Sequence, residues 1–354
     1  MSLVVITAAE AAARLDDFDT VVDARSPAEY ADDHLPGAVN WPVLDDDERR
    51  EVGTEYKQVS AFDARKRGAA LVARRIAEHL EAHVLERPRG WQPLVYCWRG
   101  GQRSGTLAWF LDQIGFRTHV LRGGYKAFRA LVREQLATRP AALDFVVIAG
   151  RTGSGKTRLL QTLAAQGAQV LDLEGLARHR GSVLGGLPSE PQPPQKAFDT
   201  ALWDALRRLD AARPVFVESE SRKIGQLHLP EALIERMRTH GRCAFVNLPD
   251  AARVQLLLEE YGFFAGQVDR FCAHLDSLVE LRGRQTVVRW QALARAGHWG
   301  EVFDELMRQH YDPLYTRSMA HNFAGLSAAH PVELRSADAP ALDAAARDLI
   351  AWAG

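Results

Sequence analysis

Short apolar runs alternate with longer amphipathic stretches along the whole of this 354-residue chain. In the first third, Val4 to Ile6, Thr20 to Asp23, Leu94 to Cys97 and Thr118 to Leu121 read as strands. Ala69 to Leu85 and Ser104 to Leu111 between them carry helical spacing, so the block predicts an α/β layer with a mostly parallel sheet. The stretch Ala137-Thr138-Arg139-Pro140-Ala141 reads as a linker, because proline disfavours a continuing helix. Asp144 to Ala149 then forms a buried-strand pattern, followed by strand candidates at Gln169 to Leu173, Pro214 to Glu218, Ala244 to Leu248 and Val332 to Leu334. Helices fill most gaps, and 251–310 is mostly helical, which predicts an added helical subdomain. The expected division is a first domain over 1–136 and a second over 143–354. Leu187 to Gln195, LPSEPQPPQ, holds four prolines in nine residues and predicts a stiff loop.

Length supports this division, since one core rarely serves so many residues. Composition is that of an ordinary globular protein, 47% hydrophobic and 25% charged. A net charge of −1 does not advertise nucleic-acid binding, so any RNA contact must come from local basic patches. Arg65-Lys66-Arg67, Arg74-Arg75, Arg207-Arg208 and the pair Arg282 and Arg284 are the candidates, each equally readable as a solvated helix face. No apolar run reaches membrane-spanning length, and the N-terminus lacks the basic start of a signal peptide. The three cysteines, Cys97, Cys243 and Cys272, are far apart and form no CxxC. Neither a disulfide framework nor a zinc site is expected, and no metal ligand set is assigned. The expectation is a cytoplasmic monomer that does not engage a membrane.

Cys97 lies in Val95-Tyr96-Cys97-Trp98-Arg99-Gly100-Gly101-Gln102-Arg103-Ser104. A strand feeds the cysteine, a glycine-rich loop follows, and a helix starts near Ser104. Backbone amides turned inward, a helix N-terminus and the charges of Arg99 and Arg103 together favour thiolate over thiol. A buried structural cysteine is the plainer reading, but the Gly-Gly pair and two arginines weigh towards a nucleophile. Cys243 opens a strand and Cys272 lies in a helical pattern, so both read as core residues.

Gly150-Arg151-Thr152-Gly153-Ser154-Gly155-Lys156-Thr157 fits GxxxxGK[ST] directly after an apolar strand, and a helix from Arg158 follows. Gly150, Thr152, Gly153, Ser154 and Gly155 would cradle phosphate oxygens with Arg158 nearby, Lys156 would reach a terminal phosphate, and Thr157 would hold Mg²⁺. Glu218 and Glu220 stand where a Walker-B aspartate is usual. That departure weakens the case for ordinary Mg·ATP hydrolysis, and an acidic loop after a strand remains the alternative. His179, Arg180 and Ser182 in the basic, glycine-rich stretch Arg178 to Gly186, and Arg222 in Ser221 to Gly225, are candidates to lie over the phosphates.

The first block resembles a rhodanese domain through Val22-Asp23-Ala24-Arg25-Ser26-Pro27-Ala28-Glu29-Tyr30, His34-Leu35-Pro36-Gly37-Ala38-Val39-Asn40 and Leu121-Arg122-Gly123-Gly124-Tyr125. The resemblance implies sulfur or selenium carried on Cys97, with Asp23 and Arg25 as a structural ion pair and His34 bracing a turn. Fused to a P-loop, and with Gly53-Thr54, Tyr56-Lys57-Gln58, His179-Arg180-Gly181-Ser182, Pro191-Gln192-Pro193, Val217-Glu218-Ser219-Glu220-Ser221 and His310-Tyr311-Asp312-Pro313-Leu314-Tyr315, the chain resembles the bacterial tRNA 2-selenouridine synthase family. That resemblance implies replacement of sulfur by selenium in wobble 2-thiouridine of tRNA. Selenophosphate and geranyl diphosphate would be co-substrates, an S-geranyl intermediate would form, and no cofactor would be tightly bound. The P-loop is expected to grip geranyl diphosphate rather than ATP, with Leu187, Phe198, Trp203 and Phe216 as candidate walls for the geranyl chain. A sulfurtransferase coupled to an ATP-dependent kinase, and a non-catalytic tRNA- or nucleotide-binding module, are the competing readings.

Overall fold

The computed structural model describes residues 3–182, 185–186 and 190–354. Val183, Leu184 and Leu187, named above, lie outside the described residues. The chain divides into two compact units, one of 1–135 with 194–204, the other of 136–193 with 205–354. Both are α/β, a rhodanese-like layer followed by a P-loop layer.

Five parallel strands build the first unit: β1 (Val4–Ile6), β2 (Thr20–Asp23), β3 (Ala38–Asn40), β4 (Pro93–Tyr96) and β5 (His119–Leu121), in spatial order β1-β5-β4-β2-β3. β4 is central and buried along its whole length, as expected of a parallel strand covered on both faces. Cys97 follows it directly, so the cysteine loop sits at the carboxyl end of the middle strand. Helix starts are set locally. Thr7 and Asp45 form capping boxes with Glu10 and Glu48, and Ser60 caps the helix Ala61–His83. That helix is longer than the apolar pattern from Ala69 suggested, and it pairs with a second helix, Asp46–Gln58.

The second unit repeats the logic with β6 (Phe145–Gly150), β7 (Gln169–Leu171), β8 (Val215–Glu218), a small antiparallel hairpin of β9 (Lys223–Ile224) and β10 (Leu227–His228), then β11 (Arg242–Asn247) and β12 (His330–Glu333). Its main sheet is parallel, in order β12-β11-β6-β8-β7. The chain leaves β6 towards β7 and β8 on one side and reaches β11 and β12 on the other. The loop after β6 therefore opens at the point where strand order reverses, the usual ligand crevice of such sheets. From Asp250 to Asn322 a series of helices packs around its own cluster of Phe264, Phe271, Trp290 and Phe303, which is the added helical subdomain.

The expected linker is not extended chain. Helix Gly124–Thr138 runs straight into a 3₁₀ turn, Arg139–Ala142. Pro140 stands at the start of that turn, where its missing N–H breaks no helical bond. The segment 194–204, most of helix Gln195–Arg207, belongs to the first unit. There Trp203 packs edge-on to Phe128 and donates to Gln135, while Thr200 and Arg129 both engage Asp33.

Asp23 and Arg25 are the ion pair the rhodanese resemblance implied, fully buried and bidentate, with Arg25 Nη2 2.6 Å from Asp23 Oδ2. Tyr96 donates to the same carboxylate at 2.7 Å, and the guanidinium stacks 3.9 Å from the centre of the Tyr125 ring. His34 braces its turn by bonding the Tyr30 carbonyl and stacking on that ring. Asp23→Ala leaves a buried guanidinium uncompensated and should cost about 3–5 kcal/mol. Chemical denaturation followed by circular dichroism checks this, and a wild-type midpoint would refute it.

Candidate active sites

In the first unit, Cys97 is buried, and Ser104 Oγ donates to its Sγ at 3.1 Å. Helix Gln102–Ile114 begins five residues after the cysteine, so its unpaired first-turn amides flank the loop. The loop is held from behind by backbone alone. Tyr125 N–H donates to the Cys97 carbonyl at 2.8 Å and Lys126 N–H to that of Trp98 at 3.0 Å. A Cβ on Gly124 would lie 2.1 Å from the Cys97 carbonyl oxygen, and its φ is +56°. The Gly-Gly-aromatic element is therefore the surface against which the cysteine loop is moulded. Arg99 is exposed. Arg103 does not point freely at the sulfur, because its guanidinium pairs with Glu29 at 2.7 Å.

Cys243 and Cys272 are buried core residues, and burial pushes the Cys243 thiol up to about 11. Neither has a loop of this kind.

In the second unit, the 150–157 loop wraps from β6 into helix Lys156–Ala165, with Gly153 and Gly155 at φ +72° and +84°. Arg253 holds it in shape. This guanidinium is wholly buried and donates twice to the Thr152 carbonyl, at 2.9 and 2.7 Å, while binding Asp312 at 2.5 Å and Asp250 at 3.0 Å. With that carbonyl turned outward, the loop amides are left for a ligand. Asp312 lies in the His310–Tyr315 motif, whose role the residues alone did not reveal.

A cavity of about 280 Å³ opens over the loop. Thr152, Gly153, Lys156, Thr157, Arg158, Arg180, Ser182 and Glu218 all line it. Gly150, Ser154 and Gly155 shape the loop behind. His179 accepts from the Gly181 amide, and Arg222 is exposed; neither lines the cavity. Sequence reasoning missed Glu174, Glu260, Leu257, Tyr261 and the part played by Tyr315, all lining residues. Glu174 carried a faint signal, since it follows the end of β7 as Glu218 ends β8. Tyr315 was visible only as part of a motif.

Carboxyl oxygens of Glu174, Glu218 and Glu220 lie within 4.8 Å of one another. Thr157 Oγ1 donates to Glu174 at 3.4 Å, and Glu218 Oε1 is buried with no partner. Burial pushes all three carboxyls above the ordinary range, and the charge of Glu218 adds to this at Glu174 and Glu220, against the pull of Lys156. Orphaned buried oxygen beside a P-loop threonine fits a cation better than it fits a core.

Phe198, Trp203 and Phe216 do not wall this cavity. The first two are buried in the other unit, and Phe216 is core beneath the sheet. The apolar wall is instead Leu257, Tyr261 and Tyr315, and a narrow recess continues it past Phe303, Leu306, Met307 and Tyr311.

A family model described as the tRNA 2-selenouridine synthase AAA domain matches residues 143–283, and a rhodanese-like domain model matches 7–131. A protein named tRNA 2-selenouridine synthase from Nitrosomonas europaea (strain ATCC 19718) is 36% identical over 282 residues, covering 77% of this chain and 71% of its own. Another of that name from Cupriavidus necator (strain ATCC 17699) is 36% identical over 331 residues, covering 83% and 87%. A third from Alcanivorax borkumensis (strain ATCC 700651) is 34% identical over 327 residues, covering 83% and 88%. This chain belongs to the tRNA 2-selenouridine synthase family.

In this member of the tRNA 2-selenouridine synthase family, no described helix is long and apolar enough to cross a membrane. Its carboxylate cluster has a consequence for stability. A carboxyl whose folded pKa is raised stabilises the fold fully below its unfolded value, and that contribution is lost as pH rises through the folded value. The melting temperature of the unliganded protein should therefore fall as pH rises from the ordinary carboxylate range through neutrality. Thermal melts across that range check this, and Glu220→Gln should flatten the slope. An equally steep slope in the variant would remove Glu220 from the account.

Proposed function

We propose that this protein is a tRNA 2-selenouridine synthase, exchanging sulfur for selenium in wobble 2-thiouridine. The relatives' name supports the activity, and the meeting in one chain of a moulded cysteine loop and a P-loop cavity supports the route.

The P-loop is read as a geranyl diphosphate site. Its cavity has a phosphate end at Lys156, Thr157, Arg158 and Arg180, and an apolar end at Leu257, Tyr261 and Tyr315, beside which lies a recess of only about 10 Å³ at Met307. An amphiphilic diphosphate matches both ends. A divalent cation arriving with it would be held by Thr157 and the carboxylates of Glu218, Glu220 and Glu174, and would supply neutralising charge for the diphosphate. The uridine sulfur attacks C1 of the geranyl chain, the C–O bond breaks, and diphosphate leaves with its charge met by Lys156 and the arginines. N3 of the base gives up its proton in that step.

In the second step selenium bonds to C2 of the base and the C2–S bond breaks, releasing geranylthiol. With selenophosphate and water as reactants and phosphate as the other product, the exchange is redox neutral. The Cys97 loop is read as the place of selenium delivery, with Ser104 and the first helical turn stabilising anionic sulfur or selenium there.

Calorimetric titration with geranyl diphosphate and with ATP should show tight binding of the former, weakened at least about tenfold in Lys156→Ala, as expected when a charge-assisted bond to phosphate is removed. Lys156-dependent binding of ATP alone would overturn the assignment. Cys97→Ser should abolish 2-selenouridine formation while S-geranyl-2-thiouridine still accumulates. Mass analysis of nucleosides from digested tRNA reads both, and normal selenation by the variant would exclude Cys97.

A further inference from the structure

Beside the cysteine loop, and wholly within the first unit, lies a groove of about 770 Å³ that the exchange chemistry leaves unused. The helices Asp46–Gln58 and Ala61–His83 form most of it, and helix Gln102–Ile114 closes one side with Gln102, Arg103 and Thr106. Ser104 of that same helical turn bonds the Cys97 sulfur. One edge of the groove is therefore built by the helical turn that follows the cysteine loop and contacts its sulfur from the other side.

Its floor is apolar, built from Leu44, Val52 and Val72; Gly68 lets the two helices close together, and Gly53 leaves room for the Arg49 side chain one turn earlier in its own helix. A Cβ on Gly68 would come 3.3 Å from Val52, and one on Gly53 2.7 Å from the Arg49 guanidinium. Its walls carry five cationic side chains, Arg49, Lys57, Arg65, Lys66 and Arg103, and no carboxylate residue lines it. Arg49 and Arg103 share Glu29, and Lys66 pairs with Asp63. Lys57 and Arg65 are exposed and have no carboxylate partner among the described residues. Two aromatic rings stand out of the same walls, Tyr56 at 53% exposure and Phe62 at 66%, and Lys66 Nζ lies 4.9 Å from the Phe62 ring centre. Solvent-facing rings interleaved with cations that lack carboxylate partners are poor core design, yet they are what an unstacked polynucleotide needs: flat faces for bases and charges for the backbone.

Three arginines of the other basic clusters are held by partners. Arg75 is tied to Asp45, Glu48 and Glu78, Arg67 to Glu51 and Glu55, and Arg282 to His310.

We propose that this groove binds a single-stranded RNA loop, stacking unpaired bases on Tyr56 and Phe62 and holding phosphates with Lys57 and Arg65, so that the neighbouring nucleotide meets the Cys97 loop. The inference rests on the reading that tRNA is the substrate. It adds where the anticodon loop is held, and it gives the helical pair between β3 and β4 a task.

The test is fluorescence anisotropy of the full-length protein with a labelled RNA stem-loop and with the same stem as a blunt duplex, over a salt series. The stem-loop should bind in preference. Lys57→Ala combined with Arg65→Ala should weaken it about tenfold or more and reduce the log–log salt slope by about 1.4, which is about 0.7 for each single-strand phosphate left without its cation. Tyr56→Ala combined with Phe62→Ala should weaken it about 30-fold or more with the slope unchanged, the mark of two missing base stacks. Lys57→Arg combined with Arg65→Lys should restore the slope. All four positions are exposed, so circular dichroism should match wild type throughout. Alanine variants that bind the stem-loop with wild-type affinity and slope overturn the groove and leave the tRNA reading standing. Equal affinity for the duplex overturns the single-strand assignment. Wild-type protein that binds neither RNA overturns both readings.

Discussion

The shape of the P-loop depends on one guanidinium buried away from solvent. Arg253 ties the Thr152 carbonyl of the P-loop to Asp312 and Asp250. A buried cation of this kind persists only because each side of its planar fork is met. Arg253 and Asp250 come from the first helix of the helical subdomain, and Asp312 from the start of a later one. The subdomain thus decides the shape of a loop that belongs to the sheet. It also supplies the apolar side of the cavity, through Leu257, Tyr261 and Tyr315. The same packing that stabilises these helices sets both the phosphate end and the greasy end of the site.

The two reactive centres are built in different ways. The P-loop is surrounded by side chains of mixed sign, where three crowded carboxyls face Lys156. The cysteine loop relies on backbone, with glycines at 100 and 124 allowing main chain to touch main chain. Charge tunes the first centre, and closeness shapes the second. Gln192 shows a third device. It bonds the carbonyls of Ala177 and Ile224 and accepts from the Gln226 amide, so a proline-flanked glutamine pins the β9–β10 hairpin to the helix after β7.

Much of this was legible in the chain. Apolar runs ending at Cys97 and Ala149 marked the central strands, because a strand buried on both faces has no room for alternation. Glycine spacing marked the loops that follow, and the Asp23–Arg25 pair came from the resemblance to a rhodanese domain. Arg253 was not legible, and Glu174 only faintly, through its place after β7. Each acts through partners far off in sequence, Asp312 and Glu218, and nothing in the local pattern of Arg253 separates it from an ordinary helix residue. The apolar wall was misplaced for a related reason. Phe198 and Trp203 have the right chemistry and lie near the P-loop in sequence, but their helix is buried in the other unit. Arg103 has the look of a free charge in the sequence, yet Glu29, on a helix far earlier in the chain, holds it.

The helix that carries Phe198 and Trp203 bears on how the protein can be dissected. The chain passes between its two units at 135/136, at 193/194 and again at 204/205. A gene cut at the apparent linker would yield a first fragment without the segment that buries Phe128 and completes the surroundings of Asp33. Its partner fragment would keep that segment, with Phe198 and Trp203 and nothing of their own to cover them. A division of the chain that respects its packing therefore has to carry residues 194–204 along with the first 135.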